Sequence, residues 1–165
     1  MFNERYGLNT SVLELRKTMT RRKFPRYKVG QTVAIAQCYD EVYPLLKPEH
    51  ADEVVYMRLK ATYNHRKPAG CTNKMFVKAD FMPHHIFITG RKLQQLQDIT
   101  DEECLKEGIY ELEDPCKNAK AYTFIGGGIH RTPREAYAEL SDKLNGNGYW
   151  KSNPHVWAYE FDLLD

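Results

Sequence analysis

The sequence predicts an α+β domain: a small, mixed, partly closed β-barrel flanked by short helices. Three observations carry that expectation. The chain has 165 residues and is 42% hydrophobic, a length that fits one domain and lets about two-thirds of the unfolded surface be buried without metal or disulfide staples. About five or six strand-like segments of unequal length are present. Their order is helix, strands, helix, helix, strand, so strands and helices do not alternate as a doubly wound sheet requires. Residues 1–165 are read as a single domain, with residues 38–74 and 109–131 as insertions in a smaller core.

Ser11-Val-Leu-Glu14 fits a capping box and predicts a short helix to about residue 17. Thr18 to Arg22 reads as a strand ended by Pro25, Tyr27 to Gly30 as a turn, and Thr32 to Gln37, β-branched and apolar, as a second strand. Glu49 to Tyr63 has the pattern of an amphipathic helix, between Pro48 and the loop Lys67 to Gly70. Lys74 to Asp80 and His85 to Thr89 read as strands on either side of Pro83, and Arg91 to Asp98 continues as another strand or extended arm. Thr100-Asp-Glu-Glu103 is a second capping box, for a helix ending at Glu107 with Gly108 as its C-cap. Residues 109–131 read as a weakly ordered excursion. Thr132-Pro-Arg-Glu135 opens a helix to about Leu144, stopped by Asn145 to Gly148, and Val156 to Leu163 alternates like a half-buried strand.

No apolar run reaches the roughly 18–20 residues that cross a bilayer, and the first ten residues lack a signal peptide's apolar centre. The expected location is the cytoplasm, without membrane contact. Cys38, Cys71, Cys104 and Cys116 are widely spaced, as free thiols of a reducing compartment are. No metal or other cofactor is implied.

The net charge of +2 hides a segregation. Residues 16–28 hold seven basic side chains and no acidic one, whereas residues 98–114 hold eight acidic ones and only Lys106 as a base. Such asymmetry points either to an anionic partner or to two segments that pair with each other. Phe24 and Tyr27 within the basic run are candidates for base stacking or for the core. Trp150 and Trp157 are read as core. Gly126-Gly127-Gly128 lacks the Gly-Lys-Ser/Thr ending of a phosphate loop and reads as a flexible loop. His84 and His85 are adjacent on a strand start, so they face opposite ways and are unsuited to one metal. Lys17 lies among Arg16, Arg21 and Arg22, whose charges, with partial burial, lower a lysine pKa. A neutral lysine there can serve as a base toward Thr20, although a solvated lysine is the commoner arrangement.

Residues 13–22 (LELRKTMTRR), followed by Tyr27-Lys28-x-Gly30 and a strand, resemble the ASCH domain of the PUA-like superfamily, whose signature is G-x-K-x-x-E-x-R before a K-x-G-D turn. Lys17 and Arg22 take the lysine and arginine positions. Leu15 replaces the glycine, which predicts a different local turn, because leucine is costly in a left-handed conformation. Thr20 replaces the glutamate, and Gln31 stands where the turn often has aspartate. Residues 73–89, 96–108 and 157–164 are also similar to elements of larger bacterial and phage-type ASCH proteins. The resemblance implies a PUA-like barrel that binds RNA or a nucleotide through a cavity and a basic rim formed by Arg16, Thr18, Arg21, Arg22, Arg26, Tyr27 and Lys28.

It also implies an alternative. Lys17, Thr18, Thr20 and Arg22 match the variant found in amidohydrolases that deacetylate N4-acetylcytidine, and the glutamate of their triad falls on Glu107, with Glu103 the nearby competitor that already caps the helix as its N3 residue. Lys17 then takes the proton of Thr20, Thr20 attacks the acetyl carbonyl, and Glu107 delivers a proton to the leaving amine. RNA or a modified nucleoside is the expected partner in either case.

Overall fold

The computed structural model describes residues 6–42, 70–74, 77–114 and 119–164. The chain divides into two compact units. One comprises Met1–Phe2, Thr32–Ile86 and Leu164–Asp165, the other Asn3–Gln31 and Phe87–Leu163. The architecture is mixed α+β. A four-stranded antiparallel sheet has the order β1 (Met19–Arg22), β6 (His155–Leu163), β3 (His85–Gln95), β2 (Thr32–Ala34), and β4 (Tyr110–Asp114) pairs with β5 (Ala119–Thr123) in a separate two-stranded sheet. Among the described residues the sheets do not close into a barrel.

In the second unit, α1 (Leu8–Leu13) starts earlier than expected. Gly7, at φ 60°, precedes it, and the Ser11 hydroxyl donates back to the Gly7 carbonyl at 2.9 Å, so Ser11 lies inside the helix and does not cap it. Leu15 follows at φ 59° and 65% exposed. The turn is therefore left-handed despite the leucine, which pays strain there without gaining burial. α3 (Asp101–Lys106) matches its capping box: Thr100 accepts from the Glu103 amide, and the Glu103 side chain accepts from Thr100 N–H. Gly108, at φ 101°, reverses the chain after it. α4 (Pro133–Asn145) has Thr132 as N-cap and ends at Gly146. A four-residue helix α5 (Tyr149–Ser152), absent from the sequence reading, follows and leads into β6.

Within 109–131, read as a weakly ordered excursion, Tyr110–Asp114 and Ala119–Thr123 pair as antiparallel strands. Glu113 lies opposite Lys120, and Lys120 reaches Glu111 at 3.2 Å, so cross-strand charge pairs support the pairing. The strand expected at His85 to Thr89 and its continuation from Arg91 form one strand, β3, from His85 to Gln95, and Leu96–Asp98 is a 3-10 turn. The core of this unit includes Val12, Met19, Leu96, Ile99, Cys104, Phe124, Leu140, Ala158 and Tyr159.

In the other unit, α2 (Tyr39–Val42) packs Tyr39 against Cys71 and Phe81. Among the described residues of 74–80 no strand forms. Ala79–Phe81 is instead a single 3-10 turn that drops Phe81 into this cluster, and that burial overrides the β-propensity of the segment. Residues 49–63, read as an amphipathic helix, lie outside the described residues.

Candidate functional site

The register of β1 on β6 fixes which side chains share a face. Thr20 lies opposite Tyr159, Arg21 opposite Ala158 and Arg22 opposite Trp157. Successive strand side chains alternate, so Arg21 points to one face of the sheet and Thr20 and Arg22 to the other.

On the Arg21 face, two segments of opposite charge meet. Lys17 and Glu107 form a backbone bridge, and Thr18 N–H donates to the Lys106 carbonyl at 2.9 Å. α3, ending at Glu107 and turned by Gly108, thereby brings the Glu107 carboxylate inward. Lys17 Nζ lies 2.5 Å from Glu107 Oε2 and also donates to the Glu107 carbonyl at 2.9 Å. Arg21 donates to Glu107 Oε1 at 2.9 Å and to Glu103 Oε2 at 2.6 Å, and Lys92 reaches Glu103 Oε1 at 2.5 Å. The Lys17, Arg21 and Glu107 side chains are only 2%, 3% and 5% exposed. The network joins three cations to two carboxylates, with the Tyr137 ring beneath the Arg21 guanidinium.

Burial pushes the Lys17 pKa below its usual 10.5, outweighing the attraction of Glu107, and the charges of Arg22 and Arg21 act in the same direction. Burial would also lower the Arg21 pKa, but Glu107, Tyr137 and Glu103 together more than offset it and the guanidinium is held charged. Glu103 is raised by burial and lowered further by Lys92 and Arg21, ending below the ordinary carboxylate value.

Thr20 is buried, at 2% exposure. No hydrogen bond among the described residues joins its hydroxyl to Lys17 or Glu107. Of the three residues that the resemblance groups as a triad, the fold joins Lys17 and Glu107, while Thr20 alternates with Arg21 along β1. Arg21, expected on the basic rim, is buried and engaged by two carboxylates.

The remaining basic residues behave differently. Arg16 is exposed, paired with Glu14 and set over the Tyr110 ring. Thr18 is half-buried and joins the sheet through its backbone. Lys23, Arg26 and Lys28 are exposed on the loop after β1, with Phe24 65% exposed among them. The Tyr159 hydroxyl accepts from the Arg26 amide at 2.9 Å and the Tyr27 amide at 3.4 Å, and the Tyr27 ring meets the Tyr159 ring edge-on. A buried tyrosine thus anchors the loop while its cations remain in water.

Reading by residue type missed Arg91, Lys92 and Tyr137 as members of these clusters, and weighed Glu103 only as the competitor of Glu107. Glu103 carried the only local signal, its place in the capping box. The glycine loop has a packing reason: a Cβ on Gly127 would stand 2.4 Å from the Phe124 ring. Its Gly128 amide, the kind of donor a phosphate would use, already donates to Glu139 at 2.9 Å. Glu139 also holds His130 at 2.6 Å and Lys143 at 2.9 Å. Among the described residues no group of three His, Cys, Asp or Glu side chains could hold a metal ion, and no helix is long and apolar enough to cross a membrane. Comparison with known proteins returned no family model, no curated protein and no solved structure that matches the chain.

Proposed function

We propose that the chain is a PUA-like, ASCH-type RNA- or nucleotide-binding module of the cytoplasm, whose ligand meets the basic loop after β1. The observation that carries this reading is the exposure of Lys23, Arg26 and Lys28 on an anchored loop within a segment, 16–28, that has no acidic residue. Lys17 and Arg21 are neutralised internally by Glu107 and Glu103. Lys23, Arg26 and Lys28 are left exposed. Anchoring by Tyr159 lowers the entropy lost when the loop engages phosphates. Binding of a single-stranded RNA should then weaken with salt, by a slope of about −0.7 per phosphate contacted. Arg26→Ala should flatten that slope without changing the fold. An affinity that does not depend on salt would defeat the reading.

A second reading, hydrolysis of an N4-acetylcytidine-like amide, is favoured by the 2.5 Å contact of Lys17 with Glu107. It needs the Thr20 hydroxyl at that contact, and strand alternation directs Thr20 away. Acetate release from acetylcytidine that is lost in Thr20→Ala would support this reading, whereas no release at high protein concentration would remove it.

A further inference from the structure

The two tryptophans are each covered by an arginine, but the two covers differ. Arg134 lies over Trp150 at 5.4 Å and is locked there, because it donates to the backbone carbonyls of Ile99, at 2.7 Å, and Gln97. Tyr137 closes on Trp150 edge-on at 6.1 Å. Arg91 lies closer over Trp157, at 4.7 Å. Its only hydrogen bond among the described residues is a long one, 3.4 Å, to the Tyr27 carbonyl. Arg91 is exposed and Trp157 half-buried, so this cover rests on an open surface.

Among the described residues, the charged side chains placed beside Trp157 are basic. Arg22 is its cross-strand neighbour, and the Tyr27 carbonyl that holds Arg91 belongs to the loop bearing Lys23, Arg26 and Lys28. The nearest carboxylates along β6, Glu160 and Asp162, are an odd number of residues away and alternate to the other face, where Glu160 packs over the Gly90 backbone. An aromatic ring covered by a weakly tethered cation and bordered by further cations suits a flat, π-faced group attached to an anion. An unpaired nucleotide has that chemistry, whereas a duplex keeps its bases stacked internally.

We infer that Trp157 is a stacking platform for one unpaired base of single-stranded RNA, and that Arg91 leaves the ring for the adjoining phosphate when the base arrives. This inference rests on the RNA-binding reading and specifies its ligand as unpaired. The base occupies the position over the ring that the guanidinium holds in the free protein. Arg91 remains on the same side of the sheet and exchanges a cation–π contact for a charge pair.

The test is a fluorescence titration of the full chain with a short single-stranded oligoadenylate RNA, and with the same strand annealed into a duplex. The single strand should quench tryptophan emission and the duplex should not. Trp157→Phe, which keeps an aromatic face, should bind with about wild-type affinity and lose most of the quench. Trp157→Ala should bind roughly 5- to 150-fold more weakly. Arg91→Ala should keep the quench and lower the salt slope by about 0.7. Wild-type affinity in Trp157→Ala, or a full quench in Trp157→Phe, would overturn the platform. If Arg26→Ala still flattens the salt slope in that case, RNA binding stands and only the platform falls. If the wild-type chain binds neither RNA, the RNA-binding reading fails and the platform with it.

Discussion

Replacing Glu107 with glutamine perturbs the buried network at its centre. The carboxylate stands between Lys17 Nζ at 2.5 Å and Arg21 Nη1 at 2.9 Å, with its side chain 5% exposed. In Glu107→Gln the amide oxygen can still accept from Arg21, but the amide NH2 then faces the Lys17 ammonium and the negative charge is gone. Removing one partner of a buried ion pair costs about 3–5 kcal/mol, because the remaining charges stay desolvated. Lys17 retains its 2.9 Å bond to the Glu107 carbonyl, which places the expected loss near the low end, about 3 kcal/mol. With a urea m-value of about 2 kcal/mol/M, the unfolding midpoint should fall by roughly 1.5 M. Adding Lys17→Met removes one of the stranded cations and should recover about 1 kcal/mol or more, a coupling measured by the double-mutant cycle. The sign of the pH dependence follows from the depressed Lys17 pKa. Between its lowered folded value and 10.5 the unfolded chain binds more protons, so stability rises with pH in that window, and Lys17→Met should abolish the rise. A midpoint shift below about 0.3 M for Glu107→Gln, or no recovery with Lys17→Met, would refute the claim that these charges depend on each other.

Three further outcomes are expected. Leu15→Gly should stabilise the protein by roughly 0.5 kcal/mol in thermal or urea unfolding: the left-handed strain of an exposed leucine is relieved, and the greater unfolded-state freedom of glycine offsets part of the gain. Thr100→Ala should cost about 1 kcal/mol by removing the hydroxyl that caps α3 at the Glu103 amide, and should loosen the hold of Glu103 on Arg21. Burial alone would raise the Glu139 pKa, but hydrogen bonds from Lys143, His130 and the Gly128 amide bring it to about 2. Its stabilisation is therefore complete above the ordinary value of 4.5 and lost as pH falls through about 2, so Glu139→Gln should flatten the acid limb of the stability curve in that window.

Features governed by local chemistry were legible in the sequence. The Thr100 and Thr132 caps, Gly108 and the alternation of β6 depend on residues a few positions apart, and they occur where expected. The β4–β5 pair had a signal too, the alternation of Tyr110 and Leu112 with Glu111 and Glu113, but Gly126, Gly127 and Gly128 beyond β5 drew the segment toward a loop reading. Among the described residues of 74–80 the expected strand is replaced by a 3-10 turn that places Phe81 in the Tyr39 and Cys71 cluster. The adjacency of Lys17 and Glu107 came from family resemblance, and no local rule reaches across the 90 residues that separate them. The division between Thr20 and Arg21 was implicit in strand alternation once residues 18–22 were read as a strand. What alternation alone could not supply is which face carries the carboxylates, and therefore which arginine of the basic run is neutralised. The pairing of Arg91 with Trp157 depends on β3 lying beside β6, a long-range arrangement that neither segment encodes alone.

The most direct measurement of the central claim is the salt dependence of single-stranded RNA binding by the intact chain, compared with a Lys23→Ala, Arg26→Ala, Lys28→Ala triple variant of unchanged urea midpoint. The log–log slope should fall by about 2 in the variant, from three lost phosphate contacts at roughly 0.7 each. An identical slope in the two proteins, or no binding by the wild-type chain at low salt, would contradict it.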